Sequence, residues 1–487
     1  MVKKQRNVRI FLIKIVVWAL LQIIVWNIPP TGALTEVGIH TLAVFVGVVY
    51  TLCIMPENYA IGMLMAPVLM AFSGGYASMN ASMAAAFGND SFVMIFSICL
   101  LSGIVVVTGL AKTLALKMVN AKFTAGRPWM LTFVILATGA ILSLFIHPLV
   151  IIAIMSDLII EIYRGMNLKY SRWTLFVLCD LAIVCIQAQN VFPFQVGPSL
   201  VYGLLSAYDP ALNMNAYAGP NIIFQFVFLV LLFAFGMLLT VVFCRNCVDE
   251  LKNYKPTNEK HPLTPDMKRA IGILVVYVII QLVPLILPNG AVKTFLQQPA
   301  VTGWSCIACA GAMCLFRKDG SRFITFEQLM GNMNWYILMM LVGLGAVITP
   351  MTSESSGIIQ WLSGILEPLC SSVGAYGAFA ILVTFCFVVS NFTDNIAVIF
   401  VEVPIIYIIG NTVGLNPAFL NSACLVALQL AIILPAASPH VALVFAKENT
   451  GYVKFWHMVG WMIVRGLFGL AVFLTIGWLM RGLFCLR

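Results

Sequence analysis

The residues best suited to chemistry are crowded into two short stretches. Val389-Ser390-Asn391-Phe392-Thr393-Asp394-Asn395-Ile396-Ala397 is a polar knot between two apolar arms, and Leu434-Pro435-Ala436-Ala437-Ser438-Pro439-His440-Val441-Ala442 lies downstream inside another apolar run. These side chains suit the holding of small ions. Asn395 can donate to an anion through its amide nitrogen while its carbonyl oxygen faces a cation, so one residue can couple two ligands. Helices that begin at breaks, over residues 199–205 and 441–446, aim free N–H groups and the positive end of their dipoles into the gap, which favours an anion. Ser199 and Ser438 offer it hydroxyl donors, or else cap those helices. Asp394 is a carboxylate at membrane depth, which costs about 2.5–3.5 kcal/mol on insertion scales and so calls for a role or a partner. His147 or His440 can be that partner, since imidazoles exchange protons near physiological pH. Such a pair gives proton coupling or a fixed ion pair; capping of the following arm is the competing reading of Asp394.

The elements that must position these residues are membrane helices. The chain has 487 residues, 61% hydrophobic and 9% charged, with mean hydropathy +1.00, which is far too apolar for a soluble globular protein. At roughly 20 apolar residues per crossing there is room for about eleven transmembrane helices plus two re-entrant hairpins. Backbone can leave helical hydrogen bonding in lipid only where protein or water satisfies it, so each knot implies a cavity enclosed by protein. The formal charge of +9 sits mainly in loops, as the positive-inside rule requires. No phosphate loop, zinc-protease helix or nucleic-acid module is present, so nucleic acid is not an expected partner. Residues 10–25 could pass for a signal peptide, but Asn27-Ile28-Pro29-Pro30 reads as the end of a first span. Among thirteen cysteines, the pairs Cys244, Cys247 and Cys306, Cys309 have metal-like spacing without a second pair, and read as small apolar filler. Asp157, Asp180 and Glu402 lie in or near apolar runs, where internal pairing or snorkelling explains them. An intramembrane enzyme with Asp157, Asp180 and Asp394 as its carboxylates is a lesser alternative, but no motif pairs them on facing spans, so no catalytic residues are assigned and an enzyme is not expected.

Spans fall near residues 10–28, 38–54, 58–74 and 91–111, and Lys112, Lys117, Lys122 and Arg127 mark a cytoplasmic side, where the N-terminus also lies. Residues 130–162 break near Phe145-Ile146-His147-Pro148-Leu149 and have basic residues at both feet, which reads as a hairpin entering from the cytoplasm. The next apolar run breaks at Gln187-Ala188-Gln189-Asn190-Val191-Phe192-Pro193-Phe194-Gln195-Val196-Gly197-Pro198-Ser199, whose amides and prolines argue for an unwound helix lining a polar path. A span near 222–243 leads into a basic linker. The second half has spans near 270–287, 298–315 and 335–350, then the hairpin around Asp394. That hairpin lies in a stretch free of Lys and Arg between Arg322 and Lys447, so it enters from outside. Short amphipathic helices near 113–124 and 355–368 complete the parallel. The order repeats while the orientation inverts, which divides the chain into 1–128 and 129–244 (scaffold and transport parts of the first repeat), a linker at 245–269, and 270–368 and 369–487 (the same parts of the second). Paired broken elements of opposite topology point to a secondary transporter with a midplane site. A channel is the competing reading.

Four pieces of sequence carry a family resemblance. Leu434-Pro435-Ala436-Ala437-Ser438-Pro439-His440-Val441-Ala442 is similar to a family run Leu-Pro-x-Ala-Thr-Pro-Pro-Asn-Ala, supported by Phe87-Gly88-Asn89-Asp90-Ser91, by Gly109-Leu110-Ala111-Lys112, and by Asn334-Trp335 ahead of Gly343-Leu344-Gly345. Over most of its length the chain resembles the divalent anion/sodium symporters, which carry di- and tricarboxylates or sulfate. The resemblance implies that two hairpin tips, usually Ser-Asn-Thr, hold substrate carboxylates and help bind sodium. Here they align as His147-Pro148-Leu149 and Asp394-Asn395-Ile396, of which only Asn395 keeps a family residue. His440 stands where a proline is usual, and the first break matches through Pro198 alone. The implied substrate contacts are Asn395, Asp394, Ser438, Pro439, His440, His147, Pro198 and Ser199. The implied cation positions are Ser390, Thr393, Asn395 and Ala437, with Ser143 the only one kept in the first half, so one sodium site looks eroded. The resemblance also implies a homodimer in a bacterial plasma membrane that moves a C4 dicarboxylate or citrate by an elevator-like shift. Sodium or a proton is the expected coupling ion, exchange without sodium is the alternative, and no cofactor is expected.

Overall fold

The computed structural model describes residues 2–485 apart from 56–57, 59, 169–170, 194, 209–213, 246, 257–260, 289, 297–298, 319–320, 323, 334, 393–394 and 435–437. A chain this apolar must satisfy its backbone internally, and the described residues are accordingly helical nearly throughout. The exception is a two-residue antiparallel ladder, β1 (Arg317–Lys318) with β2 (Ser321–Arg322). Among the described residues, five segments are long and apolar enough to cross a bilayer alone, namely Arg9–Trp26, Tyr217–Cys244, Pro265–Pro284, Ile358–Ser390 and Phe455–Gly477.

The first half opens with α1 (Val2–Trp26), α2 (Glu36–Ile54), α3 (Ala60–Phe72), α4 (Met79–Gly88), α5 (Asp90–Val107) and α6 (Leu110–Val119). The expected span over 91–111 stops early: the chain bends 58° between α5 and α6, at Gly109, whose φ of +68° suits a residue without a Cβ. The hairpin follows as α7 (Pro128–Ser143) and α8 (Pro148–Gly165), then the broken helix as α9 (Arg172–Ala188) and α10 (Val196–Tyr208), then α11 (Met214–Cys244).

The second half holds α12 (Pro265–Ile286), α13 (Ala291–Leu296), α14 (Pro299–Leu315), α15 (Phe326–Gly331), α16 (Trp335–Thr352), α17 (Ile358–Ser390), α18 (Asn395–Val413), α19 (Pro417–Gln429), α20 (Pro439–Phe445) and α21 (Phe455–Val472). Three expectations need correction here. Helix α12 begins inside the expected linker, because Thr264 caps it and Pro265 takes its first position. The expected amphipathic helix over 355–368 is not separate: α17 continues into the hairpin arm through a bend at Gly374 (φ +70°). The short helices α4, α13 and α15 were not anticipated.

The two halves interlock. Helix α16 packs against α2, α3, α4 and α5, and the glycines of its Gly343-Leu344-Gly345 run allow close approach. A Cβ at Gly343 would lie 2.6 Å from Met63 Sδ, and one at Gly345 2.2 Å from Asn89 Nδ2. Asn89 in turn caps α5 through the Phe92 N–H at 2.9 Å. Hairpin α7/α8 packs on α9 and hairpin α17/α18 on α19, while α8 also meets α20 and α18 meets α10. Each hairpin therefore embraces the leading half-helix of its own break and the trailing half-helix of the other.

Candidate functional site

Each tip is shaped by what ends one arm and starts the next. At the first, Ser143 closes α7, and His147 caps α8 ahead of Pro148, its Nδ1 accepting the Leu149 N–H at 3.4 Å. That bond places the proton of a neutral ring on Nε2. At the second, Ser390 closes α17 and Asn395 opens α18. Asn391 lies between, donating to Phe387 O at 2.7 Å and accepting the Ile433 N–H at 3.0 Å, which fastens this tip to the break after α19. The first tip is fastened from the other direction, by Gln195 Nε2 donating to Leu144 O at 2.8 Å.

Unpaired oxygens gather at these tips. Ser390 Oγ and Asn395 Oδ1 are buried with no hydrogen-bond partner among the described residues. Ser143 Oγ is in the same position, with the weakly polar Cys185 thiol nearby. In the first break, Asn190 is fully buried with neither side-chain atom paired. Buried polar groups are ordinarily satisfied, and leaving one unmade costs about 1–3 kcal/mol. Oxygens and amides of this kind can serve as ligand atoms to a cation or a polar molecule.

The histidines of the two halves meet. The His147 and His440 rings stack with centroids 5.3 Å apart and planes inclined at 21°, and His440 Nε2 has no partner among the described residues. Each expected partner of Asp394 therefore faces the other, while Asp394, Thr393 and Ala437 lie outside the described residues. Ser438 caps α20 through the Val441 N–H at 3.4 Å, with Pro439 first in the helix. Ser199 donates to Pro193 O at 2.7 Å, closing the first break on itself, and Pro198 is buried beside it in the first turn of α10.

The three acids expected to pair internally each have a neighbour. Asp157 on α8 accepts from Lys447 at 2.5 Å, beyond the end of α20. Asp180 on α9 is fully buried and accepts from Arg465 Nε on α21 at 2.7 Å; Thr240 bonds it at 3.3 Å, and Arg465 Nη2 reaches Leu232 O at 2.7 Å. Glu402 on α18 accepts from the Cys386 thiol at 2.6 Å. Sequence reasoning passed over Arg465, although an arginine inside an apolar run is itself a signal that a buried acid awaits it. It also passed over the fastening roles of Asn391 and Gln195, for which the sequence offered only the presence of amides at the breaks.

A family profile described as citrate transporter matches residues 50–428. The Na(+)/citrate cotransporter of Rattus norvegicus is 31% identical over 153 residues, which make up 31% of this chain and 25% of that protein. Solute carrier family 13 member 2 of Homo sapiens is 33% identical over 118 residues, 24% of this chain and 19% of that protein. The alignments thus span about a quarter of these relatives' length. Among solved structures, the YdaH transporter of Alcanivorax borkumensis superposes with a TM-score of 0.60 at 14% identity, covering 91% of this chain and 98% of that one. MtrF of Neisseria gonorrhoeae does so with a TM-score of 0.59 at 14% identity, covering 94% and 95%. At such identity these two show a shared fold.

Proposed function

This chain belongs to the citrate transporter family, and on that footing we propose that it is a secondary carrier of a small organic polyanion, a C4 dicarboxylate or citrate, taken up together with a cation. It is an integral membrane protein and a transporter, not an enzyme. The observation that carries the reading is the buried oxygens of Ser143, Ser390 and Asn395, without a partner among the described residues, together with the stacked imidazoles of His147 and His440 at the starts of α8 and α20. Substrate carboxylates take the imidazole N–H groups, the Asn395 amide and the N-terminal N–H groups of α18. Ser390, Thr393, Asn395 and Ala437 hold sodium, which the name of the rat relative also supports.

The moving part is the hairpins with α9, α10, α19 and α20, within residues 129–244 and 369–487. It shifts against a scaffold drawn from 1–128 and 270–368, with 245–269 as the connection and a homodimer as the assembly. The seam where α10 and α18 face α2 and α16 supports this, since it is lined by Phe45, Leu204, Leu344, Val347 and Val403. Apolar contact of that kind has no directional bonds to break when surfaces slide. The basic residues of the loops, read by the positive-inside rule, support a cytoplasmic N-terminus, and the membrane of this reading is a bacterial plasma membrane.

Uptake of labelled citrate and succinate into proteoliposomes, under separate sodium and proton gradients, tests the reading. Saturable uptake driven by sodium and lost in Asn395→Ala supports it; unsaturable conductance would make the protein a channel. A second reading, proton coupling or exchange without sodium, is favoured by the first tip, where His147 replaces a hydroxyl and Pro148 an amide, and by His440 stacked on that imidazole. Uptake that follows the proton gradient alone, or that needs only counter-substrate, would select it.

A further inference from the structure

Behind the tip of the second hairpin lies a cluster that the transport reading does not use. Cys386 Sγ on α17, Glu402 Oε on α18 and Cys424 Sγ on α19 all lie within 4.8 Å of one another, and all three residues are buried. Cys386 donates to one carboxylate oxygen at 2.6 Å, and the other, Oε1, has no partner among the described residues. Three helices thus contribute one ligand atom each to a single point.

We propose that Cys386, Glu402 and Cys424 form a binding site for one thiophilic divalent cation of the zinc and cadmium class. Two sulfurs and one carboxylate oxygen are a donor set for such an ion, whereas magnesium and calcium select oxygen alone. Tetrahedral coordination with metal–sulfur bonds near 2.3 Å asks for ligand atoms about 3.8 Å apart, so Cys386 and the carboxylate oxygen it bonds move apart by about 1 Å and no pair has to close by more than about 1 Å. Uptake of one divalent ion with release of two protons leaves the net charge of the buried site unchanged, and no new charge enters the hydrocarbon.

Cys386 lies one helical turn behind Ser390 and Glu402 about two turns behind Asn395, roughly 6 and 10 Å along their helices. The tip is therefore the entry path, and a bound ion pins both arms of the hairpin to α19. Occupancy stops the second tip from opening and inhibits any step that requires it. The inhibitory part of the inference rests on the transport reading; the binding part does not.

Titration of the purified full-length protein with Cd²⁺, followed by the thiolate-to-cadmium charge-transfer absorbance, is the test. We expect one tight equivalent that is lost in Cys386→Ser and in Cys424→Ser, weakened at least tenfold in Glu402→Gln, and kept in the control Cys306→Ser/Cys309→Ser. Protection of Cys424 from a thiol reagent by Cd²⁺ in the unmutated protein gives a readout that needs no variant. Equal cadmium stoichiometry in the unmutated protein and in Cys386→Ser/Cys424→Ser, or no protection, overturns the site. Binding without inhibition of uptake keeps the site and overturns the pinning.

Discussion

At the first hairpin tip the bond that fastens hairpin to broken helix is made by the break, through Gln195; at the second it is made by the hairpin, through Asn391. The cause lies in the tip residues. Pro148 and His147 leave the first tip without an amide, and the histidine's Nδ1 is taken by its own helix start. The second tip has two amides, and while Asn391 is bound to backbone, Asn395 Oδ1 is left unpaired. Two hairpins on one plan have thus divided the work: the second presents oxygens suited to a cation, and the first presents an imidazole to its counterpart across the site.

The largest effect expected from disturbing this division lies in the support of the first broken helix. Arg465→Leu takes the cation from Asp180 and leaves a buried acid with the Thr240 hydroxyl at 3.3 Å, at a cost of about 3–5 kcal/mol, seen as loss of monodisperse folded protein on size exclusion. Adding Asp180→Asn to Arg465→Leu should recover much of the loss, and no recovery would show that packing of the arginine dominates. Next comes Asn395→Ala, where loss of a hydrogen bond to a charged ligand, about 1.5–3 kcal/mol, lowers apparent sodium or substrate affinity by roughly 10- to 150-fold. Ser143→Ala should change sodium dependence far less than Ser390→Ala; equal effects would break the asymmetry between the tips. Third, Asn391→Leu and Gln195→Leu should each lower stability by about 1–3 kcal/mol, and thermal unfolding that reports only one of them would show that the two fastenings are not equivalent. The smallest effect belongs to Asp157→Asn, since its ion pair is largely exposed on the carboxylate side and should be worth under about 1 kcal/mol, with a matching salt dependence in the melt.

The hairpins and breaks were legible because proline, amide and hydroxyl side chains interrupt apolar runs, and such interruptions have few other uses in lipid. Helices α4, α13 and α15 were not, being too short to show a contrast in hydropathy. At the site, Ser143, Ser390 and Asn395 could be named one by one, but the stacking of His147 on His440 follows from α8 packing on α20, a tertiary fact that spacing does not encode. The convergence of Cys386, Glu402 and Cys424 escaped notice for the same reason: Glu402 stood out as an acid in an apolar run, but the two cysteines did not, and only the packing of α17, α18 and α19 brings the three together.

The Asp180–Arg465 pair also sets an order on biosynthesis. The two residues are separated by 285 positions in the chain, so at translation rates of about 5–20 residues per second the carboxylate waits roughly 15–60 s for its cation. Until then α9 cannot settle in its final place, and an acid unfit for lipid must remain hydrated or in the care of the insertion machinery. The final packing of α9 is thereby deferred until α21 has been made. Ribosome-bound chains from which Arg465 has not yet emerged should leave the native Cys179, next to Asp180, open to water-soluble thiol reagents, and longer ones should bury it.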